Sequence, residues 1–432
     1  MASALGSRRP RIAERLRGIG HALPLVVAGA IASAAALLTT VFVARELTTR
    51  QYGVLIELFS LFLVLSMPGS ALLVGVVRRI TAWDTAGDAA RVGPWLRRVH
   101  RVGTASVVAL ALVAFVLRGV LADALSLGGS GGVVEIITAG GVWVLVSIDR
   151  GALQARQAYV GLSVNLVLEG MVRTVGVIGL AAVGGVEGAA TGVLVAEVAT
   201  AIHARLRVRA VLVRGPAADE LRPEGIGGVP PRLVADVAVA FVSLGLLALL
   251  QNADVLVLGS RAPHATGSYA AISVPAKSLV FWALTLGNYM LPEAAIKWRT
   301  GRHALRQLSH TLVLVAPPCA LLLVLAVVVP RQLLTLVFGA KYAGAASAFA
   351  PLVLAMTFLA VTLVLSTYVL GVGRRWIAPL LALGVAGLFA ATEAAGGVPL
   401  ATARADLAVQ GALLTAVAAA FTVMHRRARL HG

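Results

Sequence analysis

The sequence predicts an all-α, polytopic membrane protein with twelve transmembrane helices in two six-helix bundles around a central cavity. Three observations predict it. The first is composition: 59% of the 432 residues are hydrophobic, 13% are charged, and mean hydropathy is +0.91. A soluble domain carries about 25% charged residues. The second is the apolar stretches, about 18–26 residues each, long enough to cross ~30 Å of hydrocarbon as helices. The third is the placement of basic residues. Of 37 Lys and Arg, 28 lie in the two tails and in every second loop, five lie in the remaining loops, Arg118 and Arg404 lie near the external ends of spans three and twelve, and Arg173 and Lys277 lie deeper inside spans. This alternation is the positive-inside pattern. It predicts an even number of spans with both termini cytoplasmic.

The elements follow in chain order. A basic N-tail, 1–20, precedes span one at 21–44. That span follows Arg15 and Arg17 and contains Ala32-Ser33-Ala34, but it is too long for the apolar core of a cleaved secretory signal. Spans two to six are 53–77, 102–122, 132–149, 160–183 and 186–203, completing an N-terminal bundle over 21–204. A proline-rich polar linker, 205–232, divides the chain; its stretch 207–214 mixes basic and apolar residues and reads as either a membrane-surface segment or a solvated linker. Spans seven to twelve are 233–258, 268–292, 310–329, 347–370, 376–395 and 401–424, the C-terminal bundle over 233–425. A basic C-tail, 426–432, follows. The longest loop at the external end, around 330–346, is too short to hold a catalytic domain.

The halves resemble each other at one offset. Tyr52 and Tyr269 are 217 positions apart, as are Leu153 and Leu370, and Tyr159 and Trp376. Six spans separate the partners, so a parallel repeat about an axis along the membrane normal is expected.

Charges inside spans cost roughly 2.5–3.5 kcal/mol each, so they are paired or face a wet cavity. Glu169 and Arg173 lie four apart, on one face of span five. Lys277 lies about ten residues, ~15 Å, into span eight with no acid three or four residues away. Its structural alternative is an interhelical pair with Glu197 or Asp254. Pro275, two residues earlier, is a candidate break in that helix. Lys277, Arg173 and Glu169 are the candidate substrate-binding residues. Asp254, Asn252 and Glu57, placed near the external end of their spans, are candidates for coupling to H+ or Na+, or else rim carboxylates. Arg45, Glu46 and Arg50 at the first external turn, together with Arg150, are gate candidates.

Several classes are disfavoured. The net charge of +18 is explained by topology and anionic lipid head groups, and no aromatic-rich basic module points to nucleic acid. The lone Cys319 excludes a disulfide framework. No HExxH, CxxC, P-loop or dinucleotide glycine motif is present, so neither an enzyme nor a bound cofactor or metal is expected. Thirty-four Arg against three Lys suggests a GC-rich bacterial genome and hence the inner membrane.

Four ordered stretches carry a family resemblance. They are Ala44-Arg45-Glu46-Leu47 with Gln51-Tyr52-Gly53; Arg150-Gly151-Ala152-Leu153-Gln154-Ala155 with Tyr159, Glu169 and Arg173; Asn252-Ala253-Asp254 with Gly267-Ser268-Tyr269-Ala270-Ala271, Lys277 and Leu291-Pro292; and Phe338-Gly339-Ala340-Lys341-Tyr342 with Leu370-Gly371-Val372-Gly373-Arg374. Together they resemble the polysaccharide-biosynthesis, O-antigen-type flippases of the multidrug/oligosaccharidyl-lipid/polysaccharide exporter superfamily. The resemblance implies alternating access between two bundles, and a polyprenyl-diphosphate-linked oligosaccharide moved from the cytoplasmic to the outer leaflet. It also implies membrane lipids and other glycan-assembly membrane proteins as partners. Two alternatives stand beside it: a cation-coupled multidrug exporter of the same superfamily, and a membrane-embedded glycan polymerase or glycosyltransferase.

Overall fold

The computed structural model describes residues 27–29, 31–213, 231–299, 305–371 and 375–430. Most of these residues are helical. Helix α1, Val27–Glu46, is followed by α2, Thr49–Ser66. A capping box starts α2: Gln51 N donates to Thr48 Oγ1 at 3.3 Å, and Thr48 N donates to Gln51 Oε1 at 3.1 Å. The chain breaks at Met67-Pro68, where proline has no N–H to continue the ladder, and resumes as α3, Gly69–Thr85. Helices α4, Val92–Ala124, and α5, Val133–Ala155, follow.

Helix α6, Tyr159–Val213, has 55 residues, ~82 Å if straight and far beyond one bilayer. It folds back at Gly185, whose φ of 56° and ψ of −131° are non-helical and suit a residue without Cβ. Gly176 meets Gly192, Arg173 meets Glu197 and Asn165 meets Thr200, so the two limbs run antiparallel. This hairpin turns eleven continuous apolar segments into twelve crossings among the described residues.

The second half comprises α7, Pro231–Arg261; α8, Pro263–Arg299; α9, Leu305–Val328; α10, Pro330–Val337; α11, Ala346–Gly371; α12, Ile377–Ala394; and α13, Pro399–Leu430. Pro275 does not break α8, which is continuous around it. A shift of 217 positions carries the first half onto the second. It places α5 at 350–372, over α11, and the start of α6 at 376, beside the start of α12. Tyr52 and Tyr269 are both fully buried.

Helix α5 is the hub of the first half, packing on α3, α4 and α6. Helix α11 is the hub of the second, packing on α8, α9 and α13. The halves join through α2 against α7 and α8.

Many helices outrun the expected spans. Helix α4 begins at Val92 rather than 102, and α6 continues past 204 to Val213. Arginine, alanine and leucine are good helix formers, so the helix persists where the hydrocarbon ends. The segment 207–213 is the helical end of α6, with Arg207, Arg209 and Ala210 exposed. Val208 is buried with Ile80, Val92, Leu96 and Leu153, and Val211 and Leu212 pack on them. The rest of the expected linker, 214–230, and the N-tail lie outside the described residues.

Candidate functional site: two buried charge clusters and a closed end

Each half holds a cluster of charged side chains at helix interiors. In the first half, Arg150 on α5 donates through Nε to Asn165 Oδ1 at 2.7 Å and through Nη2 to Glu169 Oε2 at 2.5 Å. Arg173 Nη2 donates to Glu169 Oε1 at 2.5 Å and also to Glu197 Oε1 across the α6 hairpin. Asn165 Nδ2 in turn donates to Thr200 O at 2.9 Å and lies 3.1 Å from His203 Nδ1. Two arginines thus face two glutamates in a chain joining α5 to both limbs of α6. The close Gly176–Gly192 crossing lets the limbs approach enough for Arg173 to reach Glu197. Glu197 is fully buried, whereas the Arg173 side chain keeps 26% exposure and lies 5.5 Å from the Phe62 ring of α2.

In the second half, Lys277 Nζ lies 3.0 Å from Asp254 Oδ1 and 3.4 Å from Asn252 Oδ1. Tyr269 OH donates to Asp254 Oδ2 at 3.0 Å. Gln410 Nε2 on α13 donates to Asp406 Oδ1 and to Leu250 O, both at 3.1 Å. Asp406 is fully buried and within electrostatic range of Asp254 and Lys277. The ammonium pairs with Asp254, while Asp406 is held through Gln410.

The ends of the bundle differ. The hydrogen bonds joining the two halves cluster at the arginine-poor end. Arg45 Nη2 donates to Leu336 O at 2.8 Å, Lys341 Nζ to Leu47 O at 2.7 Å, Tyr342 OH to Ala44 O at 2.7 Å, and Ser126 Oγ to Ser260 O at 3.1 Å. Tyr52 packs edge-on against Tyr342 with centroids 5.3 Å apart. At the α2–α8 crossing a Cβ on Gly53 would come within 2.8 Å of Gly267 N. Glu57 is buried in the neighbouring α2–α7 contact, against Gly259. The segment 330–345 is therefore a lid of helices over this end rather than an open loop.

Several expected placements change. Arg150, expected at a gate, is in the cluster with Glu169, because α5 turns its 150 face toward α6. Glu46 is exposed and makes no ion pair among the described residues, whereas Arg45 binds backbone carbonyls rather than an acid. Asp254 and Glu57 are buried and not at a water-exposed rim. Lys277 pairs with Asp254; Glu197 belongs to the other half. Sequence reasoning missed Asp406 and Gln410, although their spacing of four puts them on one helix face inside an apolar span.

No protein-family model matches the chain, and the search of curated proteins finds no significant match. Solved structures do match over nearly its whole length. A multidrug resistance MATE family transporter of the MOP superfamily in an inward-facing conformation has a TM-score of 0.67 at 14% identity, covering 91% of this chain and 96% of that one. The lipid II flippase MurJ in an inward closed conformation has a TM-score of 0.64 at 11% identity, covering 92% and 87%. A MOP superfamily transporter from Pyrococcus furiosus, described as having a binding pocket of reversed polarity, has a TM-score of 0.58 at 14% identity, covering 94% and 95%. This chain has the fold of those multi-pass membrane transporters.

Proposed function

We propose that this protein is a flippase carrying a polyprenyl-diphosphate-linked oligosaccharide from the cytoplasmic to the outer leaflet of a bacterial inner membrane, for cell-surface polysaccharide biosynthesis. The observation that carries this reading is Arg173. Its hydrogen bonds run through Nη2 alone, and a quarter of the side chain is exposed. Nη1 remains for an anionic group, and a guanidinium fork suits phosphate oxygens. The charge alternation puts the arginine-rich end, and both termini, in the cytoplasm. Closure at the opposite end then leaves the interior to be approached from the cytoplasmic side. The polyprenyl tail stays in lipid while the polar head passes between the halves. Lys277, held by Asp254 at rest, exchanges that carboxylate for the cargo's diphosphate, and Asp254 becomes able to take up H+ or Na+. An inside-negative potential favours outward movement of an anion by about 2.3 kcal/mol per charge per 100 mV fully crossed.

One observation favours a second reading, cation-coupled export of amphipathic drugs: the excess carboxylate around Asp254 and Asp406. Reconstituted liposomes separate the two. A lipid-linked oligosaccharide with a leaflet-specific label should flip at a rate that falls at least tenfold in Arg173→Gln. If the oligosaccharide stays put while a fluorescent organic cation is expelled, the flippase reading is wrong and the exporter reading stands.

A further inference from the structure

On the membrane face of the first half, α3 and α4 each pack on α5 but scarcely on each other. The gap is a cleft of about 720 Å³. Arg79, Trp95 and Arg98 line its arginine-rich end, and Val102, Val107 and Leu110 continue its wall. From Arg98 to Leu110 is twelve residues of helix, ~18 Å. That is close to one leaflet, about half of the ~30 Å hydrocarbon. The cleft therefore has a charged mouth at one membrane surface and an apolar trough that ends near the midplane.

Neither cation at its mouth is paired with an acid among the described residues. Arg79 stacks over Trp83 and Trp95, with its guanidinium carbon 4.3 and 5.4 Å from the ring centroids, and its buried Nε has no hydrogen-bond partner. The nearby acids are taken by others. Asp84 pairs with Arg156 at 3.1 Å, Asp88 with Arg91 at 3.3 Å, and Asp149 with His100 at 2.8 Å and Arg205 at 3.4 Å. Arg98 is exposed and makes no ion pair among the described residues. The cleft is also separate from the charge clusters. Its floor on α5 is Gly141, Leu145 and Ile148, whereas Arg150 is two residues past Ile148, about 200° round the helix, and faces α6.

We propose that this cleft is a binding site for an anionic phospholipid of the arginine-rich leaflet. Arg79 and Arg98 hold the phosphate, Trp95 sits at the head-group level, and one acyl chain runs along the trough past Ser106 toward Leu110. Positive charge alone would draw any anion, and an apolar trough alone would take any chain. Their junction at one membrane surface selects a molecule having both.

The test uses the purified full-length protein in detergent with phosphatidylglycerol, phosphatidylcholine or glycerol phosphate. Native mass spectrometry counts retained lipid, and thermal denaturation gives an independent reading. One phosphatidylglycerol should be retained and should raise the melting temperature, while phosphatidylcholine and glycerol phosphate should do neither. Arg98→Gln, at an exposed position, should weaken retention about fivefold, and the double change with Arg79→Gln about thirtyfold. Ser106→Trp fills the trough but keeps both arginines, and it should also lose the lipid. Equal retention of the two phospholipids overturns the proposal. So does wild-type retention in Arg98→Gln and Ser106→Trp. Stabilisation by glycerol phosphate to the same degree would show a free-phosphate site and overturn the lipid assignment.

Discussion

At the scale of single residues, Lys277 and Arg150 are joined to acids from other helices, and Arg173 to one acid on its own limb of α6 and one on the opposite limb. Lys277 has no acid on its own helix face, yet Asp254 lies 3.0 Å away. Lys277→Ala therefore leaves a fully buried carboxylate without its cation. It should cost roughly 3–5 kcal/mol, seen as lower abundance and melting temperature, and Lys277→Met with Asp254→Asn should recover most of that loss. An alanine variant as stable as wild type would show the pair to be dispensable. Arg173 gives a sharper division between folding and transport. Arg173→Gln strands Glu197 and should reduce abundance, and Glu197→Gln added to it should restore abundance. Flipping should remain absent in the double variant, because the cargo's anion contact is still missing. Recovery of flipping alongside abundance would make the arginine purely structural. Glu169 and Arg173 were legible as a pair from their spacing of four. Arg150 and Glu197 were not, because their contacts cross between helices at separations of 19 and 24 residues.

At the scale of elements, α6 shows how small residues set the geometry. The hairpin brings Gly176 and Gly192 backbone to backbone. Gly192→Val should push the limbs apart and cost about 1–3 kcal/mol, and it should also loosen the Arg173–Glu197 contact. The unfolding midpoint in detergent checks the first effect. An unchanged midpoint would mean that the limbs separate without cost. The lid over the arginine-poor end is built similarly from local contacts. Its 3-10 helix, Ala340–Ala345, sets Tyr342 against Ala44 and Tyr52. Tyr342→Phe deletes a hydrogen bond worth about 0.5–1.5 kcal/mol and should raise alkylation of a cysteine placed at Ser126. An unaltered alkylation rate would show that the lid does not control that end.

At the scale of the whole molecule, the two halves are pinned together where Ser126 Oγ meets Ser260 O at 3.1 Å. If the halves must separate there during transport, Ser126→Cys with Ser260→Cys should stop flipping under oxidation and recover on reduction. Cys319 is the sole native cysteine, so its replacement removes the background. Full transport by the oxidised, crosslinked protein would rule out opening at that end. Orientation has its own test. Reporters fused at Gly215 and after Arg427 should read cytoplasmic, and one at Pro263 external. The opposite reading at Gly215 would invert the assignment of the arginine-rich end.

The number of crossings, their alternation and the internal repeat were readable along the chain, because membrane insertion imposes local rules. Hydrocarbon thickness fixes span length, and the Tyr52–Tyr269 offset marks the repeat. The breaks inside spans were partly hidden. Pro68 is a visible interruption within 53–77, but Pro275 stands in a continuous helix, since the surrounding packing decides whether a proline bends its host. The continuation of α6 to Val213 was hidden for a related reason: its apolar face finds Leu96 and Leu153, which belong to other helices. Tertiary structure alone decided which acid meets which cation, placed Arg150 beside Glu169 rather than at a gate, and set Asp406 within electrostatic range of Asp254 and Lys277. A charge in a membrane is stabilised by whatever lies across the helix interface, and sequence distance does not measure that separation.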